Sequence, residues 1–205
     1  GHWRGADGIF GPVPFEQGSL QRQEEEYRRE ASKRSGRLLT SSESSRFWFR
    51  EGVREIVATP VRWVWLEIRK ALLFWNREEL AINLDYRFAS ERVAWLWWPW
   101  VGFGLVGAAA LGGLRSTWSA GPGFRLLWGY AGAYMAAVMM AFMAAEYRYP
   151  AVPALGLLAA AGAVGLARAL KASEASAGLP AVAGALGPWI IAAILVWLPL
   201  MRMKR

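Results

Sequence analysis

Few residues in this chain are of a type that does chemistry. It has no cysteine and one histidine, His2, so disulfides, thiolate metal sites and imidazole catalysis lack their side chains. Zinc and copper sites usually need two or three such ligands. The lone terminal imidazole reads as a solvated group. No catalytic residue, no metal site and no cofactor are therefore expected, and haem or chlorophyll would find no axial imidazole. What remains is Glu146-Tyr147-Arg148-Tyr149-Pro150, a tight knot of ionisable residues between two long apolar runs. Glu146, Arg148 and Tyr149 together could contact a lipid phosphate or a partner's carboxylate, because a guanidinium offers a planar two-pronged fork to either. The alternative is a charged turn that anchors two helix ends at a membrane surface.

The elements that must position this knot follow from where the charges fall. Residues 1–92 hold 16 Lys/Arg and 14 Asp/Glu, whereas residues 93–205 hold 8 and 2. The first part is nearly balanced and the second nearly uncharged. Uncharged runs extend from Val93 to Leu114, from Leu126 to Ala145, from Tyr149 to Ala167 and from Ala175 to Met201. Each approaches or exceeds the roughly 20 apolar residues that cross about 30 Å of hydrocarbon as a helix. The reading is an all-α membrane protein with about four transmembrane helices (93–114, 126–145, 149–167 and 179–201), preceded by a helical, membrane-apposed polar domain over residues 1–92. The net charge of +8 lies mostly at the ends of the apolar runs, which suits anionic headgroups and excludes nucleic acid as a partner. In the fourth run Pro188 is expected to kink the helix or shorten the span.

Local signals divide the polar part. Glu24/Arg28, Glu25/Arg29 and Glu30/Arg34 are acid-first i,i+4 pairs on a solvated helix that Gly36 ends. Thr40-Ser41-Ser42-Glu43 has the S/T-x-x-E pattern of a capping box and should open a second helix. Thr59-Pro60 should open a third, over residues 60–76. That third helix interleaves Trp63, Trp65 and Trp75 with basic residues and is read as lying in the headgroup plane, with packing inside the polar domain as its alternative. Trp95, Trp97 and Trp98 then form an interfacial aromatic belt before the first crossing. Gly156, Gly162 and Gly165 give the third crossing a small-residue face suited to close helix contact.

Three segments carry a resemblance. Tyr147-Arg148-Tyr149-Pro150-Ala151-Val152-Pro153-Ala154-Leu155 resembles the "RYRLPxxPxL" segment of bacterial polytopic polyprenyl-phosphate-sugar glycosyltransferases of the C-type fold, related to protein mannosyltransferases. Arg69-Lys70-Ala71-Leu72-Leu73-Phe74-Trp75-Asn76-Arg77-Glu78-Glu79 resembles their "K-x-x-x-F-W-N-x-x-E" helix end, and Gly5 to Pro12 resembles a small extracytoplasmic loop. The resemblance implies the C-terminal part of such a transferase, with Arg148 inherited for contact with a lipid phosphate and Glu78 for structure or acceptor contact. Tyr149 stands where the family has leucine. The family's catalytic acid belongs to an N-terminal half that this sequence does not contain. The opening Gly1-His2-Trp3-Arg4 is what a processed or truncated product would show.

The expected function is accordingly that of a non-catalytic integral membrane accessory or structural subunit of a larger membrane complex, photosynthetic or respiratory for example, derived from a transferase C-terminus. The alternative is the C-terminal region of an active transferase, so the chain alone is not expected to be an enzyme. Expected partners are the lipid bilayer, transmembrane helices of the larger complex and polyprenyl-phosphate lipids. The expected location is the bacterial inner membrane, multi-pass. Lys/Arg counting gives seven positions on the side of the polar domain against four on the other, which would place that domain in the cytoplasm. The family resemblance places it in the periplasm, and that is the expectation adopted.

Overall fold

The computed structural model describes residues 7–8, 13, 15, 22–77, 92–93, 102–141, 143–175 and 179–199. Among the described residues the elements are helices: α1 (Gln23–Ser35), α2 (Ser41–Ala58), α3 (Pro60–Trp75), α4 (Phe103–Gly112), α5 (Leu114–Ser119), α6 (Pro122–Met139), a 3-10 helix (Ala145–Ala151), α7 (Val152–Ala175) and α8 (Leu179–Trp197). The chain forms two compact units, Gly1–Glu67 and Ile68–Arg205. The division falls inside α3, where the charge pattern sets it near residue 92.

In the first unit the helices start and stop where local chemistry dictates. Gly36 ends α1 in the left-handed region (φ 72°), a conformation glycine adopts without a Cβ clash. The Glu30–Arg34 pair closes at 2.7 Å on the exposed face of α1. At the start of α2 the capping box is complete: the Thr40 hydroxyl accepts from the Glu43 amide, and the Glu43 carboxylate accepts from the Thr40 amide. The α1–α2 pair is held by rings. Trp48 stacks on Phe15 at 5.4 Å, meets Tyr27 edge-on at 5.5 Å and donates its indole N–H to the Tyr27 carbonyl. The Arg34 guanidinium lies 5.2 Å from the Trp48 ring, a cation–π geometry.

Glu43 makes this unit sensitive to acid. The Arg37 guanidinium, 2.8 Å away, and then the Thr40 amide and hydroxyl hold its carboxyl down from 4.5 to about 2. A folded-state pKa below the unfolded one means that the contribution is complete above about 4.5 and is lost as pH falls towards about 2. Amide-exchange protection at Glu43, corrected for the intrinsic rate, is expected to decline across that window. Glu43→Gln should flatten the decline, and an unchanged pH profile in that variant would refute the assignment.

In the second unit α7 is the central helix, packed against α4, α5, α6, α8 and the 3-10 helix, and α4 also packs on α8. The crossing of α4–α5 with α7 is made by glycines. A Cβ on Gly113 would sit 2.5 Å from the Gly162 Cα, and one on Gly162 would sit 2.8 Å from the Gly113 Cα, so the backbones touch directly. Gly165 meets Ser116 in the same contact, while Gly156 faces open space. The small-residue face is thus Gly162 and Gly165 without Gly156. The Thr117 hydroxyl donates to the Gly113 carbonyl and accepts from the Trp128 indole N–H at 3.0 Å, which ties α5 to α6.

Helix bounds depart from the uncharged runs in physically interpretable ways. The first run is divided at Gly113 into α4 and α5. The second is helical only to Met139, whose carbonyl accepts from Lys70. The third becomes a 24-residue helix running past Arg168 and Lys171. Among the described residues the stretch Glu146–Ala172, with mean hydropathy 1.8, is the one helical run long and apolar enough to cross a membrane, and Phe103–Gly112 and Val182–Trp197 are shorter apolar helices. Pro188 lies within α8, which continues on both sides of it.

Candidate functional site

The polar interior of the second unit is built where helices end. A helix C-terminus presents carbonyls without intrahelical partners and carries the negative end of the macrodipole. Three such ends occur at Trp75, Met139 and Trp197, and each is met by donors from a neighbouring segment. Lys70, fully buried, reaches from α3 to the terminal carbonyl of α6, with Nζ 2.6 Å from the Met139 oxygen. Asn76, fully buried one residue past α3, donates Nδ2 to the Leu198 carbonyl at 2.7 Å. The Arg77 backbone N–H donates to the Val196 carbonyl at 3.0 Å, and its guanidinium lies 4.3 Å from the Trp197 ring.

Arg148 completes the arrangement from the 3-10 helix. It is 1% exposed. Its Nη1 donates to the Phe74 carbonyl at 3.3 Å and to the Asn76 carbonyl, and its guanidinium carbon lies 4.2 Å from the Phe103 ring centroid. The side chain therefore joins the end of α3, the start of α4 and the approach to α7. Donors on these carbonyls are favourable because a buried carbonyl left without a partner costs free energy.

The knot read from the sequence is thus split by direction. Glu146 is half-buried and Tyr149 is 57% exposed, whereas Arg148 points inward. The fork expected to face a phosphate or a carboxylate engages the Phe74 and Asn76 carbonyls instead. The tryptophans of α3 diverge as well. Trp65 is 60% exposed. Trp63 is half-buried with its indole N–H enclosed. Trp75 packs on Phe74 and lies 6.3 Å from Trp128. Trp95, Trp97, Trp98 and Glu78 lie outside the described residues. Among the described residues no three His, Asp or Glu side chains come together as metal ligands would.

Sequence reasoning missed Lys70, Asn76 and Thr117. Lys70 carried a usable signal, since a lysine inside the apolar stretch Ile68–Trp75 must either snorkel or find a buried acceptor. Among the described residues the protein is all-helical, with one helix long and apolar enough to span a membrane and a set of buried polar side chains that join helix ends. No protein-family model, no curated protein and no solved structure matches the chain.

Proposed function

We propose that the chain is a non-catalytic integral membrane protein that serves as a helical subunit of a larger membrane assembly. In this reading α4 with α5, α6, α7 and α8 are its four crossings in the bacterial inner membrane. The observation that carries it is the exposed apolar surface of the second unit. On α8, Ile190, Ile191, Ile194 and Trp197 are 56–61% exposed while Ala192 and Val196 are buried. The buried polar set is Lys70, Asn76, Thr117 and Arg148. An apolar exterior around an interior of Leu73, Phe74, Leu155 and Leu158, with hydrogen-bonded polar groups among them, suits a lipid solvent, where side-chain packing and polar contacts hold helices together. A non-catalytic role is supported by the buried basic side chains of Lys70 and Arg148, which donate to backbone carbonyls. The exposed aliphatic faces would then meet lipid and partner helices.

Extraction and labelling test this reading in membranes that carry the native chain. The chain should stay in the pellet after alkaline carbonate washing, and after mild detergent it should migrate with a protein mass well above 22.7 kDa. Release by carbonate would overturn the membrane reading, and a monomeric mass would overturn the assembly. Orientation follows from single cysteines, since the chain has none. Ser42 is exposed and Ser44 is 5% exposed, so the label belongs at Ser42. An impermeant maleimide applied to intact cells should label Ser42→Cys and spare Ser173→Cys if the first unit is periplasmic; the opposite pattern would reverse the topology.

A further inference from the structure

We infer that α2 is a docking helix for an anionic lipid surface, with Phe49, Val53 and Val57 as its inserted stripe and Arg46 and Arg50 as its headgroup contacts. The inference rests on the membrane reading above and extends it to an element that the sequence reading left in the polar domain. Phe49, Val53 and Val57 are 74%, 43% and 73% exposed. At 3.6 residues per turn their i,i+4 spacing places them within an arc of about 80°. The face that α2 turns to α1 holds Trp48, bonded to Tyr27, and the buried Ser44. This face lies roughly opposite the apolar stripe by the same geometry. The helix therefore packs through a mixed face and directs the apolar stripe of Phe49, Val53 and Val57 away from its helical neighbour, the reverse of a water-facing helix.

Charge selects the occupant. Arg46, Arg50 and Arg54 recur at the same i,i+4 spacing and border the stripe, displaced from it by about 60° around the axis. Glu51 and Glu55 fall on the opposite side, towards the packed face. Arg54 turns back to Glu51 at 2.5 Å and Glu55 faces Arg62 at 3.6 Å, so the acids are engaged away from the stripe. Arg46 Nε bonds the Ser42 carbonyl, and neither Arg46 nor Arg50 has an acidic partner among the described residues. An apolar ridge with arginines along its edge matches an acyl boundary beneath anionic headgroups. In the same unit α3 exposes Val61, Val64 and Trp65 at i, i+3 and i+4, a second ridge of the same kind.

The test uses the full chain in vesicles of equimolar phosphatidylcholine and phosphatidylglycerol, with spin labels on Val53→Cys, Val57→Cys, Glu51→Cys and, as a span control, Ile191→Cys. Labels at 53 and 57 should collide readily with oxygen and about threefold less with an aqueous nickel chelate than the label at 51. Arg46→Gln and Arg50→Gln should each cut this shielding from about threefold to about 1.5-fold, and a loss at least as large should appear in pure phosphatidylcholine. Equal nickel access at 51, 53 and 57, with the 191 label still in lipid, overturns the inference and leaves the membrane reading standing. Exclusion of both probes from 53 and 57 assigns the stripe to a protein partner and overturns it too. Shielding indifferent to anionic lipid overturns the role of the arginines. An aqueous signal at 191 overturns the membrane reading, and the inference falls with it.

Discussion

Arg148→Ala is expected to lower the stability of the second unit by about 3–5 kcal/mol, from two carbonyl acceptors that lose this donor at roughly 1–3 kcal/mol each and the emptied volume over the Phe103 ring. The measurement is the thermal unfolding midpoint in detergent micelles, followed by the tryptophan signal of the helical unit. Arg148→Lys keeps the charge and one donor arm but loses the planar fork and its stacking, so about half the loss is expected. A lipid-phosphate role would give a different result. Both variants would then unfold close to the parent, and the alanine form would lose copurifying phospholipid. That outcome would refute the assignment of the guanidinium to Phe74 and Asn76.

Gly113→Ala and Gly162→Ala should each destabilise by about 2–3 kcal/mol, because the new methyl enters a space already filled by the facing backbone. At Gly113 the added Cβ would lie 2.5 Å from the Gly162 Cα and 3.2 Å from the Ala109 carbonyl oxygen. No rotamer relieves a Cβ contact with backbone, so the helices must separate along their whole crossing. Gly129→Ala and Gly132→Ala on α6 are the controls. Nothing lies within 4 Å of either Cβ position, and replacing glycine in a helix interior should be neutral or stabilise by up to about 1 kcal/mol. Tolerance at 113 and 162 equal to that at 129 and 132 would show that α4–α5 and α7 do not cross at these glycines.

The amino-acid sequence by itself determined what depends on neighbours within a turn or two. The capping box at Thr40 and Glu43, the helix start at Pro60, the stop at Gly36 and the Glu30–Arg34 pair are all local geometries, and a helix brings residues three to five apart together whatever surrounds it. The shift to an uncharged second half was equally legible, since it is a property of composition. Helix ends inside that half were not, because Met139 ends α6 with a lysine that lies 69 residues earlier on its carbonyl.

Only the tertiary structure decided which way the charges point. Arg148 reads the same in sequence whether its fork meets water, a phosphate or a carbonyl. Its partners are 72 and 74 residues away, and spacing along the chain fixes only the direction in which a side chain leaves its own element. Likewise Gly156, Gly162 and Gly165 are alike as small residues, and the crossing with α4–α5 selects Gly162 and Gly165. The apolar stripe of α2 shows the converse: its periodicity was visible, but that it faces away from α1 is set by Trp48 packing on Phe15 and Tyr27. Rotation of a helix about its axis is a property of what it packs against, and a single strand of sequence contains the face without the neighbour.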